Sequence, residues 1–255
     1  MNSLIEKVGH MIKGLLPFAI VNRNPKNTLS RLINYVHLQA ALDAGHTWIM
    51  MKPGVYGWSV VRNDGVLIEG SKDVIIDADA AQDSDGYAQP SLNLEGNECV
   101  VRGISFRKTR INTLPTTDVA SCVVVRGDNC IIEDCAFLSS GGYGVWPFSN
   151  TEPSTMSVIG CDFENINGYA IHSSRFVLAM GNNIRNSEGG VMNISNSLGG
   201  TIYGNIAEPG NTSDALVNFN GGAPPTGNTV SLGLADGSTY TGVLNSNAIS
   251  SVYVY

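Results

Sequence analysis

The 255-residue sequence predicts an all-β fold, a solenoid of short stacked strands closed by a helix near its start, and three observations carry that reading. Glycine is abundant, at 29 residues, while only 15% of the chain is charged. Glycine supplies tight turns, and ordinary domains are about 25% charged. From Trp48 onward, short apolar runs are bounded by Gly, Asn, Asp or Ser, as strands separated by turns are. The runs are also copies of one another, and recurrence at a fixed period marks a repeat architecture. A hydrophobic fraction of 43% excludes a disordered chain.

The elements follow in order. Residues 2–16 read as a helix ended by Pro17, and residues 22–27 as a turn-rich linker. Lys7, Lys13, Arg23, Lys26 and Arg31 face only Glu6 within the first forty residues, a net +4 in a chain of net charge −7. That asymmetry makes residues 1–29 a basic docking segment; the alternative is a solvated helix face. Residues 30–46 predict a capping helix, with Leu32, Tyr35, Val36 and Leu42 on one face, Gln39 as its polar exception and Gly45 as a stop. Residues 47–230 hold the solenoid.

The repeats are clearest in the runs Val74-Ile75-Ile76-Asp77-Ala78-Asp79-Ala80, Val100-Val101-Arg102-Gly103-Ile104-Ser105-Phe106, Ile131-Ile132-Glu133-Asp134-Cys135-Ala136-Phe137 and Ser157-Val158-Ile159-Gly160-Cys161-Asp162-Phe163. Weaker copies close at Ile184 and Ile206, giving a mean period of about 25 residues, within the range of solenoid repeats. A second strand follows most copies, at residues 121–125, 143–146, 169–172, 190–193 and 215–218. Two strands per coil, with equivalent residues stacked about 4.8 Å apart, turn sequence columns into ladders. Phe106, Phe137 and Phe163 form one, and Cys135 over Cys161 another. Residues 231–255, ending Ser251-Val252-Tyr253-Val254-Tyr255, read as C-terminal strands suited to oligomerisation, because an apolar edge strand is normally paired or covered.

Several functions are excluded by composition. No Lys or Arg follows Arg185, which argues against nucleic-acid binding, since phosphate contacts need basic side chains. Cys99, Cys122, Cys130, Cys135 and Cys161 are odd in number and contain no CxxC pair, so neither a disulfide framework nor a metal site is indicated. No cofactor motif is present. The stretch 11–21 is broken by Lys13 and Pro17 and is too short for a membrane span.

The run Leu38-Gln39-Ala40-Ala41-Leu42-Asp43-Ala44-Gly45, followed by Trp48-Ile49-Met50-Met51-Lys52-Pro53-Gly54-Val55-Tyr56, resembles the entry to pectate-lyase-like right-handed parallel β-helices. Val66 to Asp77 resembles the next coil of such proteins, and the similarity extends from residue 35 to near residue 230. The resemblance implies a right-handed parallel β-helix of about seven coils. Its character is closest to that of phage tailspikes and other virion-associated β-helices. It therefore implies a homotrimeric virion protein, a tailspike-like, fibre or decoration component made in the host cytoplasm, that joins other virion proteins through its N-terminal segment and either binds host surface glycan or stabilises the particle. A secreted or cell-surface protein is the alternative.

The fold hosts lyases, hydrolases and inert spikes alike, so activity rests on particular residues. Polysaccharide cleavage needs paired carboxylates, and Asp134, Asp162 and Glu164 are the catalytic candidates. Asp134 also falls in a Gly or Asp column suited to a turn, and Asp162 shares a column with Asn183 and Asn205. The Asp-rich and Gly-His-Gly patterns of the resembled enzymes are missing; His172 lies in Ala-Ile-His-Ser-Ser. Tyr143 over Tyr169, and Trp146 over His172, place aromatic ladders on one face, suited to a sugar ring or a neighbouring subunit.

Overall fold

The computed structural model describes residues 18–21, 34–78, 89–108, 121–147, 155–173, 176–188, 190–195, 200–207, 217–220, 229–234 and 251–254. All its strand pairings are parallel, and they form three stacks that we call sheets 1, 2 and 3. Sheet 1 carries Phe18–Val21, Trp48–Met51, Leu67–Glu69, Val100–Arg102, Cys130–Glu133, Thr155–Ile159, Phe176–Met180, Gly200–Ala207, Thr229–Leu234 and Ser251–Val254, each beside the next. Sheet 2 carries Gly54–Tyr56, Val74–Asp77, Ser105–Lys108, Ala136–Ser140, Asp162–Ile166 and Asn183–Ser187. It merges with sheet 1 where Gly200–Ala207 pairs in both. Sheet 3 is the separate 7-stranded stack: Ser59–Val61, Leu92–Leu94, Val123–Val125, Val145–Pro147, Tyr169–Ser173, Gly190–Ser195 and Val217–Asn220. The chain visits sheets 1, 2 and 3 in turn, so each circuit is one coil of a parallel β-solenoid.

Three strands per coil correct the expected two. A run such as Val100–Phe106 looks continuous in the sequence, but Gly103 turns it with φ +72 and divides it between sheets 1 and 2. Asp134 (φ +50), Gly160 (φ +61) and Gly181 (φ +64) turn the next coils at the same corner. Asp134 is therefore the turn residue its column suggests, since Asp adopts this conformation more readily than most side chains.

Alternation along each strand sends one side chain inward and the next outward. The inward columns make the core. Ile49, Ile68, Val101, Ile132, Val158 and Ala179 stack in sheet 1. Tyr56, Ile76, Phe106, Phe137, Phe163 and Ile184 stack in sheet 2. Leu92, Val123, Val145, Ile171 and Met192 stack in sheet 3. The expected phenylalanine ladder is present, with ring centroids 5.2 Å apart for Phe106–Phe137 and 4.4 Å for Phe137–Phe163.

The first repeat differs in frame from the one its sequence suggests. Ile76, not Ala80, lies beside Phe106, because Ser71, Lys72 and Asp73 lengthen the first corner and displace the apolar run. Asp77 accordingly sits opposite Arg107, outside the Asp134 column. At the far end, Asn183 pairs with Ile206, so Asn205 stacks with Asn182 rather than Asn183.

The capping helix is shorter than the sequence suggests, running over Leu38–Asp43. Asn34–Tyr35 form a strand instead, because Ile20 and Val21 offer them ladder partners, and Val36 is exposed. Leu38, Ala41 and Leu42 are buried against the first coil. Gln39 ties the helix to that coil, since its Oε1 accepts from the Val60 N–H at 2.7 Å and its Nε2 donates to the Val60 carbonyl at 3.2 Å. The side-chain amide thus substitutes for a neighbouring peptide on the first strand of sheet 3, satisfying groups that an edge leaves unpaired.

The cysteines behave as small apolar groups. All five are free and buried, and Cys135 lies one coil before Cys161 at the same corner, each directly preceding a paired strand. A hydrogen bond with Cys135, and then burial, push the Cys161 thiol up, which holds it protonated. Further along the same corner column the chemistry changes to an asparagine ladder. The Asn182 Oδ1 accepts from the Cys161 N–H at 2.9 Å, and its Nδ2 donates to the Val158 carbonyl and to Asn205 Oδ1. Asn205 in turn accepts from the Asn182 N–H and donates to the Ala179 carbonyl.

Candidate functional site

Four side chains expected to contact a ligand or subunit come together outside sheet 3. Trp146 is placed by the pairing of Val145–Pro147 with Val123–Val125, and His172 by Tyr169–Ser173 in the following coil. Ile171 points into the core, so His172 on the alternate position points out. All four residues are half-buried.

The local backbone explains how these rings meet. Gly144 tolerates no side chain, because a Cβ would lie 2.6 Å from the Ala170 carbonyl and 2.7 Å from the Phe163 ring. The strand entering at Tyr143 therefore lies directly on the core. Ser140 Oγ fixes that entry by donating to the Tyr143 carbonyl at 2.7 Å, and Gly168 leaves room for the Tyr143 ring.

The resulting arrangement is a ring cluster. Trp146 and His172 lie parallel, 2° apart in plane with centroids at 5.9 Å. Tyr143 stands edge-on to both, 5.8 Å from Trp146 and 4.4 Å from His172. Tyr169 closes the group at 6.4 Å from Tyr143 and 6.5 Å from His172. Burial lowers the His172 pKa to about 4, so the imidazole is neutral near pH 7. Such a patch offers C–H stacking surfaces together with phenol, indole and imidazole hydrogen-bonding groups.

The carboxylate candidates occupy a different face. Asp134 and Asp162 are joined by a residue that no sequence motif singles out: Lys72 Nζ lies 2.8 Å from Asp162 Oδ2 and 3.2 Å from Asp134 Oδ1. Lys72 belongs to the lengthened corner, and its side chain reaches Asp134 and Asp162 on the second and third coils beyond its own. The hydrogen bond to Asp162 is the larger cause of a raised Lys72 pKa, with Asp134 adding to it against the opposing effect of burial. The three side chains are 43%, 65% and 52% exposed for Lys72, Asp134 and Asp162. Glu164 lies on the outer side of the same sheet, opposite Arg185 in register, and is not part of the Lys72 group.

Other charges pair within sheets 1 and 2. Arg107 binds Asp77 at 2.6 Å. On sheet 1, Glu69 accepts from Arg102 at 2.7 Å and from the Trp48 indole at 2.6 Å, and these bonds, Arg102 first, hold its carboxyl below the usual range. Among the described residues no cluster of metal-ligating side chains occurs, and no helix is long and apolar enough to cross a membrane.

The docking candidates Lys7, Lys13, Arg23, Lys26 and Arg31 lie outside the described residues. Within that expected segment, Phe18–Val21 extends sheet 1 by pairing with Trp48–Met51. The expected boundary at residue 230 falls inside Thr229–Leu234, and Ser251–Val254 continues the same sheet. No protein-family model matches the chain, and no curated protein or solved structure matches it either.

Proposed function

We propose that this chain is a carbohydrate-binding β-helix of the tailspike kind, a virion structural protein that attaches to glycan on a host surface. The supporting observation is the cluster of Tyr143, Trp146, Tyr169 and His172 outside sheet 3, with four half-buried rings converging across two coils. Right-handed winding over about seven coils belongs to this reading, in keeping with the strong preference for right-handed parallel crossovers. Homotrimerisation and docking to other virion proteins through residues 1–29 belong to it as well. The resemblance to pectate-lyase-like tailspikes supports them.

The test is adsorption of purified full-length protein to host-type cell envelopes before and after enzymatic removal of surface glycan. Loss of adsorption after glycan removal is the expected result; unchanged adsorption overturns the assignment. Mass measurement in solution tests the trimer, and a monomer at every concentration removes it.

A second reading is a polysaccharide lyase or glycoside hydrolase, and one observation favours it: Lys72 draws Asp134 and Asp162 to a shared exposed site. A carboxylate pair is the minimum for acid–base cleavage of a glycosidic bond. Depolymerisation of a polysaccharide panel, stopped by Asp134→Asn and Asp162→Asn, would establish this activity; an inert wild-type protein removes it.

A further inference from the structure

The strands of sheet 3 contain no Lys, Arg, Asp or Glu. Their sequences are SVV, LNL, VVV, VWP, YAIHS, GVMNIS and VNFN. Sheets 1 and 2 are different. Glu69, Arg102 and Glu133 lie on sheet 1, and Asp77, Arg107, Lys108, Asp162, Glu164 and Arg185 on sheet 2. Charge is therefore partitioned between faces of the same solenoid rather than merely scarce.

The column through the ring cluster can be followed strand by strand. Val60 pairs with Asn93, Asn93 with Val124 and Val124 with Trp146. His172 pairs with Asn193, and Asn193 with Asn218. Val60 and Val124 are nearly inaccessible, at 7% and 2% exposure, and Asn93 between them is half-buried, so the continuous open part of the face begins at Trp146. From there the column presents the Trp146 indole and, one coil on, the His172 imidazole. Burial keeps His172 uncharged down to about pH 4. Charge lies just beyond the strands, at Arg62, Glu95 and Arg126, each directly following a strand of the sheet, and Arg62 and Glu95 are paired with each other at 3.5 Å.

A uronate, sulfated or sialylated polymer carries a fixed negative charge on each repeat, and cationic side chains favour its recognition. This face supplies none among the described residues of its strands. Hydroxyl groups and C–H faces, by contrast, match neutral phenol, indole and imidazole groups. Successive column positions are spaced about 4.8 Å apart along the solenoid axis, so an extended ligand running across these coils meets the indole and then the imidazole.

We propose that the ligand of this face is a neutral polysaccharide, bound across the coils at Trp146 and His172 and held by stacking and neutral hydrogen bonds rather than by ion pairing. The assignment rests on the carbohydrate-binding reading and narrows it to one chemical class.

Affinity electrophoresis of the full chain tests it, in gels containing dextran, mannan or galactan in one series and polygalacturonate, alginate or heparin in the other. Retardation is expected with at least one neutral polymer, changing less than about twofold between about 50 and about 500 mM NaCl, because screening acts on charge pairs. Trp146→Ala should weaken it roughly tenfold, the scale of losing one stacked ring with its buried area, and Trp146→Phe should restore most of it. Far-UV circular dichroism confirms that each variant is folded. Retardation confined to the anionic polymers and abolished by salt overturns the neutral assignment while leaving carbohydrate binding in place. Neutral-polymer binding indifferent to Trp146→Ala overturns the location. No retardation by any polymer removes both readings.

Discussion

Asn182 is the position where the corner of the solenoid can be tested most directly. Its amide is buried and makes contacts on both sides: Oδ1 to the Cys161 N–H, and Nδ2 to the Val158 carbonyl and Asn205 Oδ1. Asn182→Ala leaves the Cys161 N–H without its acceptor inside the solenoid, and each orphaned buried polar group costs about 1–3 kcal/mol. Val158 and Asn205 each lose a donor, but Asn205 Oδ1 retains the Asn182 backbone N–H at 2.9 Å. The sum is about 3 kcal/mol, with the vacated volume acting in the same direction. For a chain of this size 1 kcal/mol shifts the midpoint by about 2–4 °C, so the midpoint of thermal unfolding followed by circular dichroism should fall by about 6–12 °C. Asn167→Ala is the control, because Asn167 is exposed and lies outside the left-handed region of the backbone. A fall of less than about 2 °C for Asn182→Ala would refute the claim that the buried ladder holds the corner.

Three further outcomes are expected. Gly127→Ala should prevent folding or strongly destabilise, since its Cβ would lie 1.8 Å from the Gly96 carbonyl oxygen; Gly160→Ala meets nothing within 4 Å and should cost only the left-handed backbone penalty of about 1–2 kcal/mol. Urea titrations of the two variants compare them directly. His172, with its pKa lowered to about 4, binds fewer protons folded than unfolded between about pH 6.5 and about pH 4. Stability is thus full above that window and declines as pH falls through it, by roughly 2–3 kcal/mol; in His172→Gln the pH dependence of urea unfolding should flatten there. Lys72→Met should alter stability by less than about 1 kcal/mol, because its ion pairs are exposed. A larger loss in thermal unfolding would show that the tie across the coils is structural.

The parts of the fold that can be read from sequence are those in which one residue type recurs in one column. Phe106, Phe137 and Phe163 are identical and adjacent in space, and Gly103, Asp134, Gly160 and Gly181 all turn the same corner. The second strands of the repeats likewise correspond to sheet 3. The third strand is not legible because a one-residue corner barely interrupts an apolar run. The asparagine ladder is not legible either: Asn182 and Asn205 look like surface turn residues until their amides are seen facing inward at a register shifted by one. Lys72 carries no sequence signal because its partners lie far along the chain and are assembled only by coiling. The rings at Tyr143, Trp146, Tyr169 and His172 are legible as a group, since they occur at matching positions of consecutive repeats.

That contrast bears on where function sits in such a molecule. A ladder repeats its chemistry at about 4.8 Å intervals, so a charge introduced once tends to meet a like charge or demand an opposite one in the next coil. Sheets 1 and 2 resolve this by pairing: Glu69 with Arg102, Asp77 with Arg107, Lys72 with Asp134 and Asp162. Sheet 3 resolves it by omitting charge from its strands. The two solutions have different consequences at the surface. Paired charges are already satisfied within the chain, so a ligand must displace one partner to use the other. An uncharged column meets a neutral ligand with no ion pair to break, wherever the face is open. The continuous opening coincides with the change from Val124 to Trp146, the point at which a buried aliphatic residue gives way to half-buried rings. A single column thus changes from packing to presentation between adjacent coils, and Trp146→Ala should affect ligand retention far more than Val124→Ala, whose principal effect should be on thermal stability.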